Sequence, residues 1–136
     1  MKKLLVFTLI FAGTLGTLNA QNIKFKKGDV LIDGVSCLDY TSSSTNAEII
    51  TKDGNQTIIL KYIRTGVGHN GGLYTKVVFV EQEKSFTSKS YIFNKKLLVK
   101  KLLSDAVIVD CGIDESKIDK FIMKYDEGIE ETLVRH

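Results

Sequence analysis

The sequence predicts an α+β domain, an antiparallel β-sheet of about five or six strands followed by two C-terminal helices packed on one face. Three observations carry that reading. From Ile23 to Ile92, short runs rich in Val, Ile, Thr, Tyr and Phe are separated by Gly, Asp and Asn turns, which is the pattern of strands. After Phe93 the apolar spacing widens to three and four residues, which is the pattern of helices. Strands first and helices last is the order of an α+β chain, not of alternating βαβ units.

Ahead of the domain stands a segment of different character. Lys2 and Lys3 precede an apolar run from Leu4 to Ala12, and small residues lead on to Ala20, the three zones of a cleavable secretory signal peptide. The apolar run falls short of the roughly 20 residues that cross a bilayer core, so it is not read as a transmembrane anchor. Cleavage after Ala20 leaves 21–136 as a single domain of ordinary size. Without Lys2 and Lys3, nineteen Lys and Arg become seventeen against sixteen Asp and Glu. That balance predicts no general attraction to nucleic acid. The 43% apolar content belongs to a chain that folds, not to a disordered one.

Val30–Ile32 and Val35–Tyr40 flank Asp33-Gly34, a pair suited to the left-handed backbone of a tight hairpin. The hydroxyl and amide run from Thr41 to Asn46 reads as an exposed loop. Ala47–Lys52 and Gln56–Arg64 flank the next turn, Asp53-Gly54-Asn55, and apolar residues on both faces of the second run mark an interior strand. Leu73–Val80 and Phe86–Ile92 complete the sheet around the charged turn Glu81–Ser85. Asn94 caps a first helix whose Leu98, Leu102 and Ala106 share a face widened by Val99 and Leu103. Val107–Val109 reads as a buried connection; Asp114 then caps a second helix, with Ile118, Phe121, Ile122 and Tyr125 on one face and Gly128 at its end.

Few residues carry recognisable chemistry. Gly66-Val67-Gly68-His69-Asn70-Gly71 matches the spacing of a dinucleotide-binding loop, but such a loop must open a helix at the pyrophosphate. Leu73–Val80 reads as a strand, so no cofactor is expected. The same loop, through Gly66, Gly68, His69, Asn70 and Gly71, is instead a candidate partner-contact surface. Cys37 and Cys111 are an even pair in an exported chain and a candidate disulfide. Asn55-Gln56-Thr57 matches the glycosylation sequon at a predicted turn.

Catalysis and metal binding find little support. His69 and His136 are the two imidazoles, there is no Gly-x-Ser-x-Gly elbow, and neither His nor Cys shows paired ligand spacing, so no catalytic residue and no metal site is assigned. Glu81 and Glu83 are the one carboxylate pair that a small hydrolase would use, provided that they line a cleft. Lys95, Lys96, Lys100 and Lys101 make one side of the first helix basic, the ordinary dress of a solvated face or a surface for an anionic polymer or membrane.

The leader ending in Asn19-Ala20 before Gln21, the strand-rich middle with Asp33-Gly34, and the closing helix with Phe121-Ile122 and Tyr125 resemble small exported bacterial proteins of unassigned activity. The resemblance implies a Gram-negative origin and export to the periplasm or beyond. It brings no site with it. The expected function is that of a non-enzymatic binding or interaction module whose partner is an unknown protein or extracellular ligand. The alternatives are the small carboxylate-dependent hydrolase, or an inhibitor or immunity-type protein acting on a partner enzyme through the Gly66–Gly72 loop.

Overall fold

Seven strands pair antiparallel in the order in which the chain makes them. A computed structural model describes residues 22–90 and 92–134, so the leader expected over 1–20 and the terminal His136 lie outside the described residues. The strands are β1 (Ile23–Lys26), β2 (Asp29–Ile32), β3 (Val35–Ser42), β4 (Asn46–Thr51), β5 (Thr57–Arg64), β6 (Leu73–Phe79) and β7 (Lys84–Ser88). Helix α1 (Lys95–Ser104) follows, then a small hairpin of β8 (Ile108–Val109) and β9 (Gly112–Ile113), then α2 (Ile118–Tyr125) and α3 (Ile129–Val134).

Register explains the core. Ala47, Leu60, Val77 and Phe86 stand opposite one another in one row, and Ile49, Ile58 and Phe79 in the next, so alternate residues of four strands point to one face and are buried. Against that face α1 packs Leu98, Val99 and Leu102 near β1, while α2 packs Ile118, Phe121 and Tyr125 near β7. Between them the helices reach both edges of the sheet. Phe121 is the hub of the α2 end, with ring centroids 6.2 Å from Phe79, 5.7 Å from Phe86 and 4.9 Å from Tyr125. The edge-on approach of Phe79 and Phe86 is the arrangement that ring quadrupoles favour.

Beyond α2 the chain rounds the open edge of β7. The Glu127 N–H donates to the Thr87 carbonyl at 2.8 Å, the Ile129 N–H donates to Thr87 Oγ1 at 2.8 Å, and Asp126 Oδ1 accepts from the Thr87 N–H at 3.2 Å. These bonds occupy backbone groups that an edge strand would otherwise offer to another chain. Helix α3 then sits on the opposite face. There its Glu130 accepts from the Tyr74 hydroxyl at 3.0 Å and pairs with Lys76 Nζ at 2.8 Å, both residues of the other parity from Thr75 and Val77.

Several expectations are corrected. The sheet has seven strands because Ile23–Lys26 also pairs, with Ile23 and Phe25 facing Ile32 and Val30. The expected loop Thr41–Asn46 shrinks to Ser43–Thr45, since Thr41 pairs with Glu48 and Ser42 with Ala47. Ala106 does not extend the face of α1, which ends at Ser104, and it has a left-handed φ of 59°. Val107–Val109 is only half a connection, because Ile108 and Val109 pair with Ile113 and Gly112. Asp114 caps a 3-10 turn, Glu115–Lys117, that leads into α2, and α2 stops at Tyr125, ahead of Gly128. Among the described residues the α-helices number three, and they do not all share one face.

Candidate functional site

The glycine-rich connection between β5 and β6 continues the ladder beyond the strands. Arg64 pairs with Leu73, after which the Thr65 N–H donates to the Gly72 carbonyl at 3.3 Å and the Gly66 N–H to the Gly71 carbonyl at 2.9 Å. The tip closes with a 3-10 turn over His69–Gly72 and a bond from the Gly71 N–H to the Gly68 carbonyl at 3.2 Å. Thr65 Oγ1 is 3.2 Å from both the N–H and the carbonyl of Val67, accepting from the first and donating to the second.

Gly72 is the position that allows this closure. Its φ is +69°, and a Cβ there would lie 1.9 Å from Thr65 Oγ1 and 2.6 Å from the Val67 carbonyl oxygen, so any other residue must unmake the loop. The result is an internally hydrogen-bonded projection with Val67 at its tip, 78% exposed. The five residues of the expected contact surface, Gly66, Gly68, His69, Asn70 and Gly71, all belong to this projection, and the backbone of His69 and Asn70 forms its 3-10 turn. Leu73–Phe79 is a strand, so nothing in the loop aims a helix at a phosphate.

Beside the projection lies a shallow depression of about 510 Å³ lined by Ser44, Thr45, Tyr62, Arg64 and Leu73. The β3–β4 turn reaches it because the Tyr62 N–H donates to the Thr45 carbonyl at 2.9 Å. Burial raises the Tyr62 phenol above its ordinary value, which keeps it a neutral donor and acceptor at physiological pH. A guanidinium, a phenol and two hydroxyls beside an apolar tip suit recognition, and they include no base positioned for a nucleophile.

The expected disulfide is present: Cys37 and Cys111 are bonded, with their Cα atoms 5.1 Å apart. Cys37 is buried on β3, and Cys111 is half-buried in the β8–β9 turn, where Asp110 and Cys111 both have left-handed φ, 51° and 62°. The bond therefore ties the helical half of the chain to the sheet.

The remaining candidates lie apart. Glu81 and Glu83 are both exposed in the β6–β7 turn, where Glu81 accepts from the Thr57 N–H at 2.6 Å. Asn55 is exposed in the β4–β5 turn, with its N–H bound to Asp53 Oδ1 at 2.9 Å. Among the described residues no group of three or more His, Cys, Asp and Glu is arranged to hold a metal ion, and no helix is long and apolar enough to cross a membrane. Sequence reading missed the depression, since Thr45 of the β3–β4 turn, Tyr62 of β5 and Leu73 at the start of β6 are brought together only by the fold. No family model, curated protein or solved structure matches this chain.

Proposed function

We propose that this chain is an exported, non-enzymatic binding module that engages a protein partner or extracellular ligand through the 65–72 projection and the depression beside it. The observation that carries the reading is the projection itself. Its closure requires glycine at position 72, yet the closure buries little and holds Val67 out in water. A preorganised loop with an apolar tip pays little ordering entropy on binding, which is what a recognition element needs. Export is supported by the leader pattern of residues 1–20 and by a disulfide, which persists in oxidising compartments.

A hydrogen-bonded projection also fits a concave partner, which favours an inhibitor or immunity-type role as the narrower form of the same proposal. The test replaces residues 66–71 with Asn-Gly, a turn that the Thr65–Gly72 pair can accept. Both forms are recovered from the host envelope and compared by native mass spectrometry. Loss of a bound species on shortening, with the disulfide and unfolding midpoint retained, is the expected result. The same species at the same stoichiometry on both forms would overturn the proposal.

A further inference from the structure

We propose that the outward side of the α1–α2 layer is a docking face for an anionic lipid surface. Together α1 and α2 carry six lysines and one aspartate, and α1 carries no acid at all. Lys95 turns inward, with Nζ 5.2 Å and 4.8 Å from the ring centroids of Phe25 and Tyr40. Lys101 is half-buried, and the other four face out. Leu98, Val99 and Leu102 bury the inner side of α1 and leave Lys96 and Lys100 exposed, while Ile118, Phe121 and Tyr125 bury the inner side of α2 and leave Lys120, Met123 and Lys124 exposed. The two outward sides are continuous, because a groove lined by Ser104, Asp105 and Ala106 from the end of α1 and by Lys117, Lys120 and Lys124 joins them. Asp105 answers one of these charges, at 3.0 Å from Lys124 Nζ, and Asp119 is taken by Lys84 of the sheet.

Folding accounts for Lys95 on its two rings, for Lys124 on Asp105 and for Lys101 in the last turn of α1, but it gives no reason for Lys96, Lys100 and Lys120. Lys95 and Lys96 occupy the first turn of α1, where the helix dipole disfavours cations, and no acid stands there to offset them. Lys96 and Lys100 are four residues apart on one face and repel. The charge is also local, since the chain after the leader is nearly balanced. Among the described residues Met123 is the most exposed large apolar side chain, at 83%, and on the helix surface it stands between Lys120 and Asp119, whose carboxylate is held by Lys84. An exposed apolar side chain beside Lys120 on a lysine-bearing face matches a lipid interface, where the methionine enters the acyl boundary and the lysines reach the phosphates. A soluble polyanion would use the lysines and leave Met123 idle.

Sedimentation of the protein with phosphatidylglycerol–phosphatidylcholine vesicles, and with phosphatidylcholine vesicles alone, tests this. Binding should require the anionic lipid and fall with salt. It should weaken at least about tenfold in Lys100→Glu/Lys120→Glu, and also in Met123→Ser. Where charge reversal lowers the unfolding midpoint, Lys100→Gln/Lys120→Gln is compared instead. Equal binding to both vesicles, or none, overturns the proposal. So does binding that Met123→Ser leaves unchanged and that soluble polyphosphate matches, which would assign the face to polyanions.

Discussion

Cys37 has no partner in the β2–β3 ladder: Leu38 stands opposite Val30 and Ser36 opposite Leu31, and the residue between them is the extra member of a β-bulge. Strict alternation would put Cys37 and Leu38 on opposite faces. The bulge puts both inside, at 3% and 0% exposure, and so turns Cys37 toward Cys111 under the helical layer.

The cross-link closes 74 residues of chain. Replacing both cysteines by alanine should lower stability by about 4 kcal/mol in the chain-entropy account. Urea unfolding of the two forms reads this directly, and coincident midpoints would contradict it.

Gly72→Ala should cost more than Gly54→Ala. Both positions have left-handed φ, at +69° and +77°, but a Cβ at Gly54 meets nothing within 4 Å. Gly54→Ala then carries the conformational cost alone, about 1 kcal/mol, and Gly72→Ala adds a clash worth about 1–3 kcal/mol. Equal unfolding midpoints in the two variants would show that the loop closes differently.

Acid should loosen the C-terminal segment first. The Lys76 ammonium, followed by the Tyr74 hydroxyl, holds Glu130 below its ordinary value against the opposing effect of burial. For Glu127 burial pushes upward, but bonds from the Lys89 and Ser90 N–H groups and the Ser88 hydroxyl outweigh it, and the carboxyl again lies low. Groups depressed on folding stabilise above their unfolded value. That contribution is therefore full above about pH 5, and it fades as pH falls below 4.5 and through the lowered folded values. Glu130→Gln should cost about 1 kcal/mol at neutral pH, because the pair is partly solvated, and should flatten the acid limb in a pH series of urea unfolding. An unaltered limb would contradict this.

Two neighbours on α2 should differ sharply. Phe121→Ala removes the hub of the aromatic cluster and should cost about 3–5 kcal/mol. Met123→Ser, on the outward side, should stay within about 0.5 kcal/mol. Thermal unfolding of both variants checks the orientation of the helix.

What the sequence made legible is what depends on local pattern. Asn94 caps α1 and accepts from the Leu97 N–H at 2.7 Å, Asp33-Gly34 turns the β2–β3 hairpin, and the segment after the glycine loop is a strand, as its composition suggests. What stayed hidden depends on partners distant in the chain. Lys24 and Lys26 leave β1 only two apolar residues, Ile23 and Phe25, and its pairing with β2 is what adds it to the sheet. Helix α3 is too short to announce itself by periodicity and is held by Tyr74 and Lys76, more than fifty residues away. The cysteines were visible as a pair, whereas the bulge that aims one at the other leaves no mark in alternation. Likewise the glycine spacing marked the 65–72 loop, but the depression beside it waits on the β3–β4 turn docking against Tyr62.

The most direct test of the binding account places a photo-crosslinking residue at Val67 in the host and, as a control, at Val35, which is also exposed, at 63%, but lies in the β2–β3 hairpin. The account predicts a discrete higher-mass product from position 67 that is absent from position 35. Indistinguishable products from the two positions, or none from either, would contradict it.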